Sequence, residues 1–275
     1  MVVGDGRYVF PLINLGNNLT TLPKIELSNV VNRFNLEGKV LNNILTYNGQ
    51  ELTKGTITSP VQLLYYFDQN GVITFTQGAC VNSFDCPGSF KILMNARLVK
   101  LFRLFQDESV EVSIAFDQTS SNDIQTKISF ITDNVEIYAI LTNDESLLNK
   151  VPASIIRERG SKLYPYSIEI NKKEFLSSIL RLLVFNKEGT YYAKITFNGK
   201  SAQIQPLSTE TVETLSYVSS SNGEINYECT LDLMDLKNTL DAYQSDFISM
   251  YFGDGAAVCL VFGNIKTIIP ECSNV

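Results

Sequence analysis

The sequence predicts an α+β fold of two similar domains, each built from a duplicated unit of one strand, one helix and three further strands. Short alternating strands dominate the chain. Only four segments carry helical apolar spacing, and each is entered from a strand through Asn or Asp, residue types preferred at a helix N-cap. The four units place residues 24–28 before Asn29, 90–94 before Asn95, 166–170 before Asn171 and 227–231 before Asp232. Successive caps are 66, 76 and 61 residues apart, whereas alternate caps are separated by 142 residues (Asn29 to Asn171) and 137 residues (Asn95 to Asp232). Near-equal alternate spacings mark a whole domain copied once, and the long middle step holds an added segment. The reading is therefore a first domain at 22–142, a connector at 143–165 containing Pro152, Gly160 and the charged run Arg157-Glu158-Arg159, and a second domain at 166–272.

Turn chemistry supports the strands. Residues 61–67 and 71–76 form a hairpin through Asp68-Gln69-Asn70-Gly71, and 191–197 turns through Asn198-Gly199 into 200–205. Residues 110–116, 126–132 and 135–141 make a three-strand run, with Asp133-Asn134 turning between the last two. Residues 247–252, 257–262 and 266–269 repeat it, broken at Gly253-Asp254-Gly255 and Gly263-Asn264.

The helices are amphipathic and are expected to gather on one side of the sheets. In 95–105, Leu98, Leu101, Phe102 and Phe105 share the buried face, with Arg97, Lys100 and Arg103 opposite. In 171–185, Phe175, Leu176, Ile179, Leu182 and Leu183 are buried while Lys173, Ser177 and Arg181 stack at i, i+4 and i+8. The first helix, 36–46, exposes Lys39, Asn42, Asn43 and Thr46 and has Gly38 in its interior, at a cost of about 1 kcal/mol relative to Ala. The last turns Leu233, Leu236, Leu240 and Tyr243 inward and carries Lys237 with Asp235 and Asp241.

Composition narrows the function. The 275 residues contain five cysteines (Cys80, Cys86, Cys229, Cys259, Cys272) and no histidine, which leaves no zinc set of usual spacing and no His base for a nucleophile. Reduced thiols are expected, with a Cys80–Cys86 pair across a turn as the alternative. No cofactor or metal is called for. The longest apolar runs, such as 179–185, fall far short of the roughly 20 residues of a membrane helix. The opening Met-Val-Val-Gly-Asp-Gly-Arg lacks a secretory pattern, so a cytoplasmic location is expected. A carboxylate-based hydrolase would have Asp68, Asp85, Asp133 and Asp254 as candidates, all at predicted turns where Asp serves the backbone.

The net charge of −7 is distributed unevenly. The helical windows 29–46, 95–105, 171–185 and 232–244 hold nine basic and five acidic residues, so the acidity lies outside them. Scattered cations among Asn, Ser and Thr suit loose contact with phosphates that reads no base edges.

With the fourfold order, the run Tyr166-Ser-Ile-Glu-Ile-Asn-Lys-Lys-Glu-Phe-Leu-Ser-Ser-Ile-Leu-Arg181, the stretch 227–243 and the ending Thr267-Ile-Ile-Pro-Glu-Cys272 resemble the DNA polymerase sliding clamps. That family includes the bacterial β clamp, proliferating cell nuclear antigen and the trimeric clamps of T-even phages. The resemblance spans about 22–272; residues 1–21 match nothing in the family. It implies two clamp domains with helices on the inner face and sheets outside, and a non-enzymatic ring around duplex DNA that tethers a replicative polymerase and is placed by a clamp loader. Two domains per chain imply a homotrimer, and the small, His-free, Asn-rich chain is more like a phage clamp. On this resemblance Lys39, Arg97, Lys100, Arg103, Lys173, Arg181 and Lys237 face DNA. Leu147, Leu148, Val151 and Pro152 with Ile268, Ile269 and Pro270 form a partner-peptide pocket. Edge strands at 110–116 and 212–218 meet the next subunit through Val110, Val112, Ile114, Val212, Leu215 and Tyr217. The alternative within the same fold is an open monomeric or dimeric processivity factor, as in herpesvirus accessory subunits.

Overall fold

Alternating strands that each lead into a helix build four copies of one unit. The computed structural model describes residues 26–54, 57–118, 124–141, 145–185, 191–219 and 224–272, preceded by two short strands, β1 (Val2–Val3) and β2 (Gly6–Arg7). The first unit is β3 (Val30–Glu37), helix α1, β4 (Leu64–Asp68), β5 (Gly71–Phe75) and β6 (Ala79–Ser83). Helix α1 runs through Gly38–Asn43, a π-helical stretch Ile44–Asn48 and a last turn Gly49–Glu51. The second unit is β7 (Lys91–Asn95), helix α2 (Ala96–Val99, tightened to 3₁₀ over Lys100–Leu104), β8 (Ser109–Gln118), β9 (Ile124–Ile131) and β10 (Glu136–Leu141). A connector carries α3 (Glu145–Leu148) and α4 (Ala153–Ser161), two helices absent from the sequence-based expectation. The third unit is β11 (Tyr166–Asn171), α5 (Lys172–Phe185), β12 (Tyr192–Asn198), β13 (Ser201–Pro206) and β14 (Glu213–Ser219). The fourth is β15 (Asn226–Asp232), α6 (Leu233–Ala242), β16 (Phe247–Phe252), β17 (Ala257–Phe262) and β18 (Ile265–Pro270).

Three of the four expected caps act as such. The Oδ1 atoms of Asn95, Asn171 and Asp232 accept from the backbone N–H of Leu98 (2.9 Å), Glu174 (3.0 Å) and Met234 (2.7 Å), satisfying donors that a helix start leaves open. The first unit differs. Residues 26–28 form no strand and Asn29 caps no helix, while Lys24 and Ile25 lie outside the described residues: the strand is β3, and the cap position is Glu37, which makes no side-chain capping bond. No turn residue separates the alternating β3 from α1, so the end of the strand resembles the opening of a helix. Gly38 is consequently the first helical residue rather than an interior one. Its N–H donates to the Glu108 carbonyl at 2.8 Å, and a Cβ there would lie 1.8 Å from the Gln106 carbonyl oxygen, so two backbones meet where only glycine fits. Residues 61–63 likewise belong to a 3₁₀ turn (Pro60–Leu63), whose Gln62 Oε1 accepts from the Ser59 N–H at 2.9 Å.

Strand order explains the architecture. One sheet is β10-β9-β8-β3; the other runs β15-β12-β13-β14-β11-β16-β17-β18-β6-β5-β4-β7 and contains strands of both domains. The domains are joined where β18 pairs antiparallel with β6, from Ile265 opposite Asn82 to Ile268 opposite Ala79. The helices form a row on one side of the sheets: α2 packs on α1, the end of α1 on α6, and α6 on α5. Asn42 Nδ2 donates to the Phe105 carbonyl (2.6 Å) between α1 and α2, and Lys172 Nζ to the Tyr243 carbonyl between α5 and α6. Among the described residues no helix is long and apolar enough to cross a membrane. All five cysteines are free thiols, and burial pushes Cys80 and Cys86 up to about 12.

Behind the β18–β6 seam the two domains share a buried polar knot. Lys54 Nζ lies 3.1 Å from Glu51 Oε2 and donates to Thr239 Oγ1 at 2.8 Å; Glu51 Oε1 accepts from Thr76 Oγ1 at 2.7 Å. The pair is buried, so its charges are tolerable only because each is matched and hydrogen-bonded. The ring of Tyr47 stacks edge-on against Tyr243 across the same boundary, 5.5 Å between centroids. Asp235 sits beside this knot, where burial pushes its carboxyl up to about 6 against the pull of Lys54.

Two outcomes are expected. Gly38→Ala should lose about 1–3 kcal/mol in urea unfolding, because the Gln106 carbonyl must move. Asp235 has a raised folded-state pKa, so its proton is taken up on folding between its unfolded value and about 6, and the protein gains stability as pH falls through that window. Asp235→Asn should therefore melt higher than the parent at pH 7.5, with the gap closing towards pH 5 in parallel thermal scans.

Candidate DNA-facing helix surface and partner groove

The helix row presents a mixed cationic surface. Lys39, Arg97, Lys100, Arg103 and Lys173 are exposed and form no ion pair with another described residue. Arg181 and Lys237 belong to the same helices but are neutralised, Arg181 by two bonds to the Glu213 carboxylate (2.7 and 2.8 Å) and Lys237 by Asp241 (2.8 Å). The hydrogen bonds from Arg181 hold the Glu213 carboxyl below its usual range. Arg33, inside the first helical window by sequence, lies on β3 beside Glu111 (3.7 Å) and off the helix row. Helix α2 also departs from expectation: Leu101 is exposed and Val99 takes its place in the core. With three residues per turn from Lys100 onward, the 3₁₀ stretch aligns Arg97, Lys100 and Arg103 in one row and swings Leu101 and Leu104 out beside them.

On the opposite side of the sheets, α4 lies across the β18–β6 seam and leaves a groove of about 370 Å³. Its walls include Pro152, Ile155, Ile156 and Arg159 of the connector, Phe75 and Gly78 of the first domain, and Ile268 and Pro270 of the second. Of the seven residues expected in a partner pocket, Pro152, Ile268 and Pro270 line this groove. Leu147, Leu148 and Val151 are instead packed into the outer core with Tyr66, Val81 and Cys259, and Ile269 faces the helix-side core because successive residues of β18 point to opposite faces. Ile155, Ile156 and Arg159 escape sequence reasoning that places no helix in the connector, and Phe75 of β5 lies far from the connector in sequence. A signal is present all the same: Pro152, Ile156 and Gly160 recur every fourth residue, and Ile156 and Gly160 are buried.

Helix α4 is held from both domains. Arg157 makes two 2.7 Å bonds to the Asp68 carboxylate, Lys266 Nζ donates to the Gly160 carbonyl at 2.6 Å, and Lys162 pairs with Asp254 at 2.9 Å. These contacts give two of the hydrolase candidates structural work. Asp68 Oδ1 also accepts from the Asn70 N–H, and Asp254 from the N–H groups of Ala256 and Ala257. Burial raises the Asp254 carboxyl, but the bonds from Lys162 and these two amides outweigh it and hold the group below its usual value. Asp85 and Asp133 are exposed at turns. Among the described residues no group of three or more His, Cys, Asp or Glu could hold a metal ion.

Solved structures with the same arrangement of strands and helices are bacterial DNA polymerase clamps. The fold is that of a sliding clamp. The sliding clamp of Pseudomonas aeruginosa superposes with a TM-score of 0.71 at 14% identity, over 92% of this chain and 69% of that one. That of Bacillus subtilis gives 0.68 at 17%, over 94% and 67%, and a putative DNA polymerase III β subunit of Eubacterium rectale gives 0.70 at 13%, over 92% and 68%. The chain spans about two thirds of the length of these neighbours. No protein-family model and no curated protein matches the sequence.

Within this clamp fold the expected subunit contacts need correction. Val110, Val112 and Ile114 are fully buried on β8, which lies between β3 and β9 and is no edge. Leu215 and Tyr217 are core residues of β14, and only Val212, just ahead of that strand, is exposed. The edge strand beyond β8 is β10, which pairs with β9 alone. Three apolar residues at alternate positions make β8 look like an edge in the sequence, but they face the core and β3 and β9 pair with it on both sides.

Proposed function

We propose that this chain is a non-enzymatic processivity clamp: copies close head to tail into a ring around duplex DNA, and the replicative polymerase and clamp loader dock in the groove under α4. The observation that carries the proposal is the β18–β6 seam together with its unmatched counterparts. β18 and β6 end the fourth and first units, so the same contact displaced by one domain would join β10, ending the second, to β14, ending the third. Within the chain β10 has one edge open, and residues 213–216 of β14 pair with β13 only. The units that own these strands also expose apolar side chains: Leu101, Leu104 and Ile140 in the second, and Leu180, Val184, Phe185 and Val218 in or beside the third. At the seam inside the chain, the corresponding units bury Tyr47 and Tyr243 against each other and pack the half-buried Phe262 on both. A second copy would cover both sets and remove the exposed edge.

Two domains per chain close the ring as a homotrimer, the arrangement of the T-even phage clamps that the composition also resembles, working in the cytoplasm of the cell or host. The helix row then faces inward. Its unpaired cations, with Asn43, Thr46 and Ser177 between them, meet phosphates without reading bases, while the acidic remainder of the protein keeps DNA off the outside. The five free cations are few for tight binding, which suits a topological tether.

The double variant Lys100→Glu/Arg103→Glu should be retained less on nicked circular DNA after loading. Its mass in solution should be unchanged, and the salt slope of binding should fall by about one for each phosphate that is no longer neutralised. Unchanged retention would contradict the inward placement of α2, and tight binding of the parent to short linear duplex would favour an open gripping form over a ring.

A further inference from the structure

The β18–β6 ladder is short, and its side-chain pattern does not choose its own register. Ile265 and Thr267 lie opposite Asn82 and Cys80 on the helix side, while Lys266 and Ile268 lie opposite Val81 and Ala79 on the outer side. Because a strand repeats every two residues, moving β18 along β6 by two residues keeps every side chain on its present face. Thr267 would then meet Asn82, Ile268 would meet Val81 and Ile269 would meet Cys80, polar with polar and apolar with apolar. Such a slip would carry the second domain about 7 Å along the seam.

The contacts around the ladder differ in how they resist that slip. Arg157 and Lys266 tie the connector through long, partly exposed side chains that can follow a displaced partner. Tyr47 packs on Tyr243 and Phe262 by ring contact, which tolerates sliding. Lys54 is different. Its side chain is 3% exposed, and Nζ lies 3.1 Å from Glu51 Oε2 and donates across the boundary to Thr239 Oγ1 at 2.8 Å. Thr239 is itself buried and gives its hydroxyl proton to the Asp235 carbonyl at 2.8 Å, so its lone pairs are left for Lys54. The space among Tyr47, Glu51, Lys54 and Thr239 is about 10 Å³, too little to hydrate an ammonium group moved off its acceptor. A two-residue slip therefore leaves a buried charge short of a partner. Apolar residues of similar size commonly replace such a pair with no loss of stability, so stability alone does not account for its place at the junction. We propose that the Lys54–Glu51–Thr239 knot is a register pin: it selects the observed alignment of β18 on β6 over the two-residue slip, and with it the placement of one domain on the other.

Disulfide trapping in the full chain tests this. Ser83 and Asn264 are exposed and meet just beyond the ladder, where the Ser83 N–H donates to the Asn264 carbonyl at 3.0 Å. Ser83→Cys with Asn264→Cys reports the observed register, and Ser83→Cys with Lys266→Cys reports the slip, since residues two places out of register lie beyond the span of a disulfide. In the parent background the first pair should cross-link and the second should not. In Glu51→Leu/Lys54→Met/Thr239→Val, the first pair should lose about half or more of its cross-link and the second should gain it, with a melting temperature equal to or above the parent's. Thr239→Val alone, which leaves Lys54 short of its acceptor, should redistribute the cross-links in the same direction and melt lower. Retention of the native cross-link alone in both variants, whatever their melting temperatures, would overturn the proposal. If the triple variant does not fold, Thr239→Val decides: a lower melting temperature with the cross-links unchanged makes the knot a source of stability and overturns its role in register.

Discussion

The pairing of β18 with β6 is the contact on which the rest of the molecule depends. It makes one sheet out of strands from two domains, and by doing so it fixes how their helices meet: the end of α1 is brought against α6, where Lys54, Glu51 and Thr239 close around one another and Tyr47 reaches Tyr243. On the other side the same four residue pairs form the floor over which α4 is stretched, with Ile268 contributing to the groove and Ile269 to the helix-side core. A helix row, a domain boundary and an apolar groove are therefore consequences of one main-chain ladder. Charges on either side are arranged to suit it. The buried pair is matched within the junction, and the pairs Arg157–Asp68 and Lys162–Asp254, whose carboxylates are buried, bind the connector to both domains.

Uneven charge gives an acidic protein a mildly basic face. The four helices carry Lys39, Arg97, Lys100, Arg103 and Lys173, exposed cations with no carboxylate partner among the described residues, and α2 gains its ordered row of three from a local tightening of the helix rather than from added charge. The same tightening exposes Leu101 and Leu104, so one departure from α-helical geometry shapes both the cationic surface and an apolar edge.

Much of the fold was legible because caps and turns are local. Asn95, Asn171 and Asp232 announce three helices by chemistry that needs no tertiary context, and Phe247–Phe252 and Ala257–Phe262 are bounded by glycine turns. What failed was what depends on neighbours. Gly38 looks like a helix defect until the Gln106 carbonyl is in place against it, and β3 runs into its helix with no breaker to mark the change. Whether a strand is central or an edge is decided by pairing, so β8 could not be told from β10 by alternation. Of the groove, Pro152, Ile268 and Pro270 followed from resemblance, while Ile155 and Arg159 required knowing that the connector coils into α4. Arg181 and Lys237 read as free cations because Glu213 and Asp241 become partners only when strand and helix, or successive turns, are folded together.

The seam's repetition between chains is the central claim, and the mass of the protein in solution tests it most directly. Sedimentation over a wide range of protein concentration should give three times the mass of the chain, falling towards a single chain only on dilution. Replacing Ile140 on the open edge of β10 with Lys should shift that balance towards the single chain without lowering its melting temperature. A single-chain mass at every concentration, or an assembly indifferent to Ile140→Lys, would contradict it.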